Sequence, residues 1–344
     1  MADIFSTTVI NGVVASLIQP PSFLLDRFFP NVQLPQEGKE EIAFDTVQKT
    51  RRMAPFVSPL VEGKVVTSKG FKTDIFRPAY IKDKRVWDGN RALKRSAGEQ
   101  IGGSLSPMQR MQAILAFELQ DQVDMLTRRL EWMASQILQT GKVTIQGDNY
   151  PAVLVDFLRD ASLTIALAGA AKWDQANVNP LDNLQTWALS VLKLIGANPI
   201  DVVMDTDAWV LFRNNQNVKD RLTLQRRLGD MPTMAQNAMF GMEGGQYQGT
   251  IDQFNIFTYA GYYLDDNGAT QPMLPSGTVL MSGPQLEGYR AYGAIKDEQA
   301  GYQALPMFAK SWVEQDPAVR FLLMQSAPLL VPYRPNAMLC ATVK

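Results

Sequence analysis

A single long amphipathic pattern between residues 106 and 140 constrains this fold more than any other feature. Ser106 is a favoured N-cap, Pro107 suits the first helical position, and Gly141 follows the last turn. A helix of this length is ~50 Å long, which is long for a compact domain. Its apolar stripe, which we interpret as core packing, comprises Met111, Leu115, Leu119, Val123, Leu126, Leu130, Met133 and Ile137. The opposite face is charged and carries Glu118, Asp121, Arg128 and Arg129.

The region after this helix mixes strands and helices. A second helix is predicted from Pro180 to Ile195, because Asn179 can cap it and Gly196 can end it. A strand followed by a helix, with a sheet that is apolar on both sides, indicates an α/β or α+β domain. The remaining predictions are strands at 142–146, 152–157, 200–204, 278–281 and 319–324, a helix at 206–212, a glycine-rich surface loop at 229–249, a hairpin at 254–264 turning at Asn267-Gly268, and irregular chain from Pro328 to Pro335 before an ordered segment at 337–343.

Residues 1–48 show no regular pattern. Pro20-Pro21, Pro30 and Pro35 interrupt them, yet clusters such as Phe23-Leu24-Leu25 make them too apolar for a disordered tail. We therefore predict an irregular arm that packs along another surface.

Residues 49–88 are predicted to form an extended β-hairpin. Phe71, Thr73 and Ile75 alternate with Lys72, Asp74 and Phe76, and Ser68-Lys69-Gly70 offers a turn. Neither alternating set is wholly apolar, so neither face would seal a core. A two-stranded ribbon is marginal by itself in water, and this one is expected to need a partner or a neighbouring subunit.

The charge of the chain is strongly asymmetric. Its net charge is −1, but residues 49–95 contain 13 basic and 4 acidic side chains, so this region carries +9 and the remainder −10. Three interpretations are open: a solvated basic face, an arm that lies on an acidic surface of the same kind of molecule, or a nucleic-acid contact. The aromatic residues of this region form no recognisable DNA- or RNA-binding motif.

The sequence offers little catalytic chemistry. Histidine is absent and Cys340 is the one cysteine, which excludes a disulfide within the chain and a thiolate metal cluster. Asp201, Asp205 and Asp207 lie at a strand end without a base or nucleophile beside them, and Asp205 or Thr206 is as well suited to cap the following helix. Asp265-Asp266 could bind a metal ion but are more simply turn residues. We predict no catalytic site, no cofactor and no metal.

No part of the chain is typical of membrane insertion or secretion. No apolar run reaches the ~18–20 residues of a membrane span, and the first residues lack the pattern of a signal peptide. We expect the protein to remain in the cytoplasm where it is made.

Several stretches resemble the lambda-type major capsid protein family of tailed phages, phage capsid protein E. The most specific stretch is C-terminal and comprises Lys310-Ser311-Trp312, Asp316-Pro317-Ala318, Arg320-Phe321 and Met324-Gln325-Ser326-Ala327-Pro328-Leu329. Weaker agreement is found in Val57-Ser58-Pro59-Leu60-Val61 with Gly63, in Gly196 through Asp205, in Trp209-Val210-Leu211-Phe212-Arg213 with Val218-Lys219, and in Tyr292-Gly293 with Ile295 and Asp297.

The resemblance implies an α+β fold of the HK97-like type. It divides the chain into an N-terminal arm (1–48), an extended loop (49–95), a peripheral domain (96–179 and 306–344) with the spine helix 106–140, and an axial domain (180–305). The implied function is self-assembly, in pentamers and hexamers, into the icosahedral head shell of the virion. The implied partners are a separate scaffolding protein, a decoration protein, the portal and, non-specifically, packaged DNA.

The candidate contacts between subunits lie in the extended loop. We predict that Lys64, Lys69, Lys72 and Arg77 meet acidic groups of a neighbouring copy, with Phe71 and Phe76 as apolar contacts.

Two alternative functions come from other classes of protein. One is a different phage structural subunit, of the tail tube or a decoration protein, against which the long helix argues. The other is a histidine-free α/β enzyme that uses lysine or carboxylates.

Overall fold

The computed structural model describes residues 4–34, 41–46, 53–54, 56–60, 62, 72–76, 78, 80–88, 105–147, 150–227, 244–265, 267–316 and 319–344. The helices of this part are α1 (Thr7–Ser16), α2 (Phe23–Phe28), α3 (Pro107–Thr140), α4 (Pro180–Ile195), α5 (Thr206–Asn214) and α6 (Gln216–Arg227). The strands are β1 (Asn31–Gln33), β2 (Ile42–Thr46), β3 (Lys72–Phe76), β4 (Ile81–Asp88), β5 (Lys142–Gly147), β6 (Tyr150–Asp156), β7 (Thr164–Ala166), β8 (Asp201–Asp205), β9 (Gly245–Ile251), β10 (Phe254–Tyr259), β11 (Tyr262–Leu264), β12 (Thr270–Pro272), β13 (Thr278–Ser282), β14 (Tyr289–Tyr292), β15 (Phe308–Glu314), β16 (Val319–Ser326), β17 (Pro328–Val331) and β18 (Leu339–Thr342).

Helix α3 confirms the predicted long helix at both ends. The Ser106 hydroxyl accepts a hydrogen bond from the Gln109 N–H (3.3 Å), and the Gln109 side chain accepts one from the Ser106 N–H (2.9 Å). This reciprocal capping box satisfies two of the free N–H groups at the start of the helix. Gly141 ends the helix with a φ of 72°, which glycine adopts without steric cost. The predicted stripe is buried from Leu115 to Ile137.

A six-stranded mixed sheet lies beside α3, in the order β7-β18-β13-β8-β10-β9. Strand β8 is buried throughout, because both faces of the sheet are covered. Val202 and Met204 pack in one cluster with side chains of α4 and α5, whereas Val203 lies in a second cluster with Ile137 and Leu138 of α3. The sheet contains both parallel and antiparallel strand pairs and packs against helices, so the fold is α+β.

A three-stranded antiparallel sheet, in the order β15-β16-β4, covers the first half of α3. Its inner side chains include Trp87, Leu322 and Met324, which form a buried cluster with Leu119 and Val123 of the helix. Helix α1 packs on the same cluster through Ile10. The long helix therefore supports two separate sheets, one along each half.

The prediction of an irregular arm over residues 1–48 is wrong for the described residues 4–34. Ser6 caps α1 by accepting a hydrogen bond from the Val9 N–H (3.4 Å). Helix α2 buries Phe23, Leu24, Leu25 and Phe28 in the largest core cluster of the chain. Six residues have little helical stability by themselves, so burial of these side chains holds α2 in place. Pro20, Pro21 and Pro30 lie outside α1 and α2, so they do not interrupt either helix.

The predicted hairpin over residues 49–88 is also corrected. Strand β3 pairs with β2, upstream of residue 49, so the ribbon begins near residue 42. Strand β4 belongs to the three-stranded sheet, where it pairs with β16 and where Trp87 is buried within the chain's own core. Residues 81–88 therefore belong to the folded body of their own molecule and not to the ribbon. The turn predicted at Ser68-Lys69-Gly70 lies outside the described residues.

Four smaller predictions change in the second half of the chain. Strand β9 (Gly245–Ile251) overlaps the end of the predicted loop 229–249, because it pairs with β10. In the predicted hairpin of residues 254–264, β10 ends at Tyr259, and only β11 pairs across the predicted Asn267-Gly268 turn, with β12. Pro328 begins strand β17, which pairs with β14. Strand β18 lies between β7 and β13, so residues 339–342 belong with the sheet of the proposed axial domain.

Candidate subunit-interaction surfaces

Strands β2 and β3 form a separate two-stranded antiparallel ribbon. At its base, Ile42 lies opposite Phe76, and both side chains pack against the chain's own core. Farther out, Ala43 lies opposite Ile75, whose side chain is 64% exposed. The ribbon is thus anchored at one end, and its outer part has the marginal stability of an isolated strand pair.

The segment between the two strands exposes large apolar side chains. We call residues 53–62, as far as the structure describes them, the exposed segment. Met53, Phe56 and Leu60 are 92, 106 and 94% exposed. Burial of a side chain of this size stabilises a structure by about 1.5–3 kcal/mol, and clustered exposure of this kind marks an interaction site.

The predicted contact residues fall only partly within the described chain. Lys64, Lys69, Phe71 and Arg77 lie outside it. Lys72 lies in β3, opposite Thr46 at the outer end of the ribbon. Phe76 is partly buried at the base of the ribbon, on the core of its own chain, which leaves little of its ring for a neighbour.

Sequence reasoning missed the apolar side chains that the structure exposes most. Phe56 and Leu60 each follow a proline, and no alternating pattern surrounds them. The available signal was the combination of large apolar residues with prolines that prevent regular strand pairing. Such a segment cannot form a core of its own and is suited to lie on another surface.

Arg85 is one of the basic residues of the charged region, and its charge is used within the chain. Its guanidinium pairs with Glu118 and Asp121 of α3 and with Asp83 of its own strand. Burial by itself lowers the pKa of Arg85, but the hydrogen bonds with Glu118, Asp121 and Asp83 outweigh it and raise the pKa above its ordinary value. Glu118 is buried at this contact, whereas the other charged residues predicted opposite the apolar stripe, Asp121, Arg128 and Arg129, are exposed.

The outer face of the three-stranded sheet carries aromatic and basic side chains together. Trp312 and Phe321 lie opposite each other and stack at 5.3 Å between ring centroids. The Lys84 ammonium is 4.0 Å from the centre of the Phe321 ring, a cation–π distance. A sheet that packs one face on the core usually carries polar side chains on its other face. The aromatic rings on this outer face therefore make the patch a second candidate contact surface.

The acidic residues considered as catalytic candidates have structural roles. Asp205 caps α5 by accepting hydrogen bonds from the N–H groups of Asp207 (3.1 Å) and Ala208 (2.9 Å). Asp201 pairs with Arg27. Asp265 accepts hydrogen bonds from N–H groups within its own turn, as the simpler interpretation predicted, and Asp266 lies outside the described residues.

Glu131 is a buried acid within the apolar stripe of α3, and sequence reasoning missed it. Its carboxylate accepts hydrogen bonds from the Leu24 N–H (2.9 Å), the Leu25 N–H (2.8 Å) and the Tyr259 hydroxyl (2.9 Å). Burial raises the pKa of Glu131 above its ordinary value, although the three hydrogen bonds act in the opposite direction. One side chain thus joins α3, α2 and β10.

Cys340, the one cysteine of the chain, is buried in strand β18. Burial raises the pKa of the Cys340 thiol to about 11, so this cysteine is a poor nucleophile near neutrality. Within the described ranges, no group of three or more Cys, Asp or Glu side chains is placed to hold a metal ion. In the same part of the chain, every helix is too short or too polar to span a bilayer.

Comparison with known proteins places the chain in one family. The family model for phage major capsid protein E matches residues 6–343. The major capsid protein of Escherichia phage N15 is 30% identical over 304 residues, which cover 86% of this chain and 87% of that protein. The major capsid protein of Escherichia phage lambda is 29% identical over the same length and with the same coverage.

The fold agrees with this result. A crystal structure described as that of a prophage capsid protein of Escherichia coli CFT073 matches with a TM-score of 0.74 and 19% identity, over 98% of this chain and 99% of that one. The shared architecture is the HK97-like capsid fold. Because the family model spans nearly every residue and the fold agrees over the same length, the chain belongs to the phage major capsid protein E family.

Proposed function

We propose that the chain is the shell subunit of a tailed-phage head and that its ribbon and exposed segment lie on neighbouring copies. The observation that carries this proposal is the exposure of Met53, Phe56 and Leu60 on a segment that continues from an anchored ribbon. These side chains lack cover within their own chain. A shell supplies that cover, because every subunit has identical neighbours.

Pentamers and hexamers of an icosahedral shell fit these contacts. A ring forms when one surface of a subunit meets a different surface of the next, and an arm can then bridge from subunit to subunit. Each contact can be weak, because many contacts per subunit raise the effective concentration of every one of them. The near-zero net charge of −1 limits repulsion between hundreds of copies.

Local charge complementarity would position the ribbon. Lys64, Lys69, Lys72 and Arg77 belong to the region of net charge +9, while the rest of the chain carries −10. At physiological salt the screening length is ~8 Å, so attraction acts only between groups that nearly touch. We expect these side chains to meet acidic groups of an adjacent copy.

The further partners follow from the family alone. We propose a separate scaffolding protein, a decoration protein, the portal and weak, non-specific contact with packaged DNA. Assembly would take place in the cytoplasm of the host bacterium, with the virion capsid as the final location. We propose no catalytic role for the chain.

Electron microscopy of the protein expressed with a scaffolding protein tests the proposal. Closed shells are expected; tubes would favour the tail-tube alternative, and monomers would leave the enzyme alternative. Changing Lys64, Lys69, Lys72 and Arg77 together to Glu should reduce the yield of shells strongly. Lys193→Glu, an exposed change on α4, is the matched control. Normal shell yield from the fourfold variant would contradict the charge contacts and leave the shell function untouched.

A further inference from the structure

The segment Ser22–Phe29, which contains α2, fills the space between α3 and the six-stranded sheet. Phe23, Leu24, Leu25 and Phe28 are buried there. The fit against the sheet is close, because a Cβ added at Gly245 of β9 would lie 2.2 Å from the Phe23 ring. The segment therefore contacts both of the elements that the long helix brings together.

One set of polar contacts joins this segment to the long helix. The Glu131 carboxylate accepts hydrogen bonds from two consecutive N–H groups at the start of α2, those of Leu24 and Leu25. The Tyr259 hydroxyl of β10 binds the same carboxylate. A charged acceptor for buried N–H groups gives stronger hydrogen bonds than a neutral one, and its loss leaves those groups unsatisfied.

A second set joins the segment to the sheets. Arg27 forms two hydrogen bonds with the buried Asp201 of β8, at 2.9 and 2.8 Å. Arg290 of β14 donates to Asp26 (2.5 Å) and to the Phe29 carbonyl (2.8 Å). The segment is thus held on one side by the helix and on the other by side chains of β8 and of β14, the strand that pairs with β1 and β17.

The local chain is built so that this segment can leave as a unit. Pro20-Pro21 precede it and Pro30 separates it from the paired strand β1, and none of these three prolines has an N–H group to donate. A helix of six residues has little stability without its packing. A cavity of about 200 Å³, lined by Ser22, Thr127, Glu131 and Tyr259 among others, lies beside the carboxylate and gives the side chains room to move.

We propose that Ser22–Phe29 is a latch that couples the long helix to the six-stranded sheet and opens locally while the rest of the chain stays folded. Glu131 is the positioning residue that holds it closed. Proteins open in local units as well as globally, and because opening of this segment exposes its buried apolar side chains, the open state is a minor population. In a shell, an opened latch would let helix and sheet shift relative to each other between two packings, a consequence that rests on the proposed function.

Hydrogen exchange of the full chain, followed by mass spectrometry, tests the latch. Glu131→Leu removes all three acceptor contacts, and amide exchange within residues 22–29 should accelerate roughly 10–100-fold. Exchange in α4, which packs in the other large cluster, should not change. Gln112→Ala, an exposed change on the same helix outside these contacts and outside the cavity, is the matched control and should leave residues 22–29 as slow as in the wild type.

A milder variant keeps the test valid if Glu131→Leu does not fold. Tyr259→Phe removes only the hydroxyl contact and should accelerate exchange of residues 22–29 by roughly 3–10-fold. Acceleration spread equally over residues 22–29 and α4 would show that Glu131 belongs to one common core and would overturn the latch. Unchanged exchange of residues 22–29 would also overturn it. Neither result depends on whether shells form.

Discussion

Arg27 and Asp201 form a two-pronged ion pair, with hydrogen bonds of 2.9 and 2.8 Å, between the N-terminal helix α2 and the first residue of strand β8. Asn255 of β10 donates a third hydrogen bond to the same carboxylate (2.9 Å). The Arg27 guanidinium also lies 5.2 Å from the centre of the Phe257 ring. The N-terminal region is therefore part of the core of the molecule.

The first prediction concerns this ion pair. Asp201→Ala removes a buried acceptor from Arg27 and from the Asn255 amide, and we expect the free energy of unfolding to fall by about 2 kcal/mol. Arg27 keeps partial access to water, which limits the loss. Gln185→Ala, an exposed change on α4, should leave stability nearly unchanged in the same urea titration. Equal stability of both variants would mean that the pair contributes nothing.

The second prediction concerns the close approach of β9 to Phe23. Gly245→Ala places a methyl group 2.2 Å from the ring, so the ring must move, and we expect a loss of about 1–3 kcal/mol. Gly12→Ala is the matched control, because its added methyl group meets no atom within 4 Å in helix α1. That control should gain about 0.5–1 kcal/mol in thermal unfolding. A neutral Gly245→Ala would show that α2 is loosely held.

The third prediction concerns pH. Burial raises the pKa of Glu131 above its ordinary value of 4.5, so the folded chain binds this proton more tightly than the unfolded chain. The resulting stability is fully present below pH 4.5 and is lost as the pH rises through the raised pKa. Asp26 of α2 adds to the rise electrostatically, while the Tyr259 hydroxyl of β10 opposes it. Asp124 and Arg128 line the adjacent cavity.

Urea unfolding between pH 4 and pH 8 measures this effect. Relative to Glu131→Gln, which cannot ionise, the wild type should lose stability as the pH rises above 4.5. Parallel curves for the two proteins would contradict a raised pKa.

The long helix and the second helix were predictable because their signals are local. Ser106, Gly141, Asn179 and Gly196 each act on backbone groups within four residues, so cap and helix lie together in the sequence. The same holds for Asp205, which was one of the cap candidates for α5. The family resemblance then supplied the HK97-like fold that local signals do not specify.

The N-terminal helices and the ribbon were not predictable in this way. Helix α2 is stabilised by Glu131, more than 100 residues away in sequence. Strand β3 pairs with β2, from which residues 47–71 separate it in the sequence. The alternation of side chains in β3 does not indicate which strand it pairs with. The burial of Glu118 in helix α3 is accompanied by its ion pair with Arg85 of strand β4. Each of these features is a contact between distant parts of the chain, for which the local pattern carries no signal.

The fourth prediction concerns the exposed segment. Phe56→Ser combined with Leu60→Ser removes two side chains that are 106 and 94% exposed, so the stability of the unassembled subunit should not change. If a neighbouring copy covers both, assembly should lose about 3–6 kcal/mol per subunit, and the yield of shells should fall severely. Leu189→Ser, on the exposed side of α4 (53% exposed), is the matched control and should assemble normally.

Shell yield of the Phe56→Ser, Leu60→Ser variant, counted by electron microscopy beside its thermal unfolding curve, tests the central claim most directly. The account predicts unassembled subunits that unfold at the wild-type temperature. Shells formed in normal yield and shape would contradict it, because the exposed segment would then cover no neighbour.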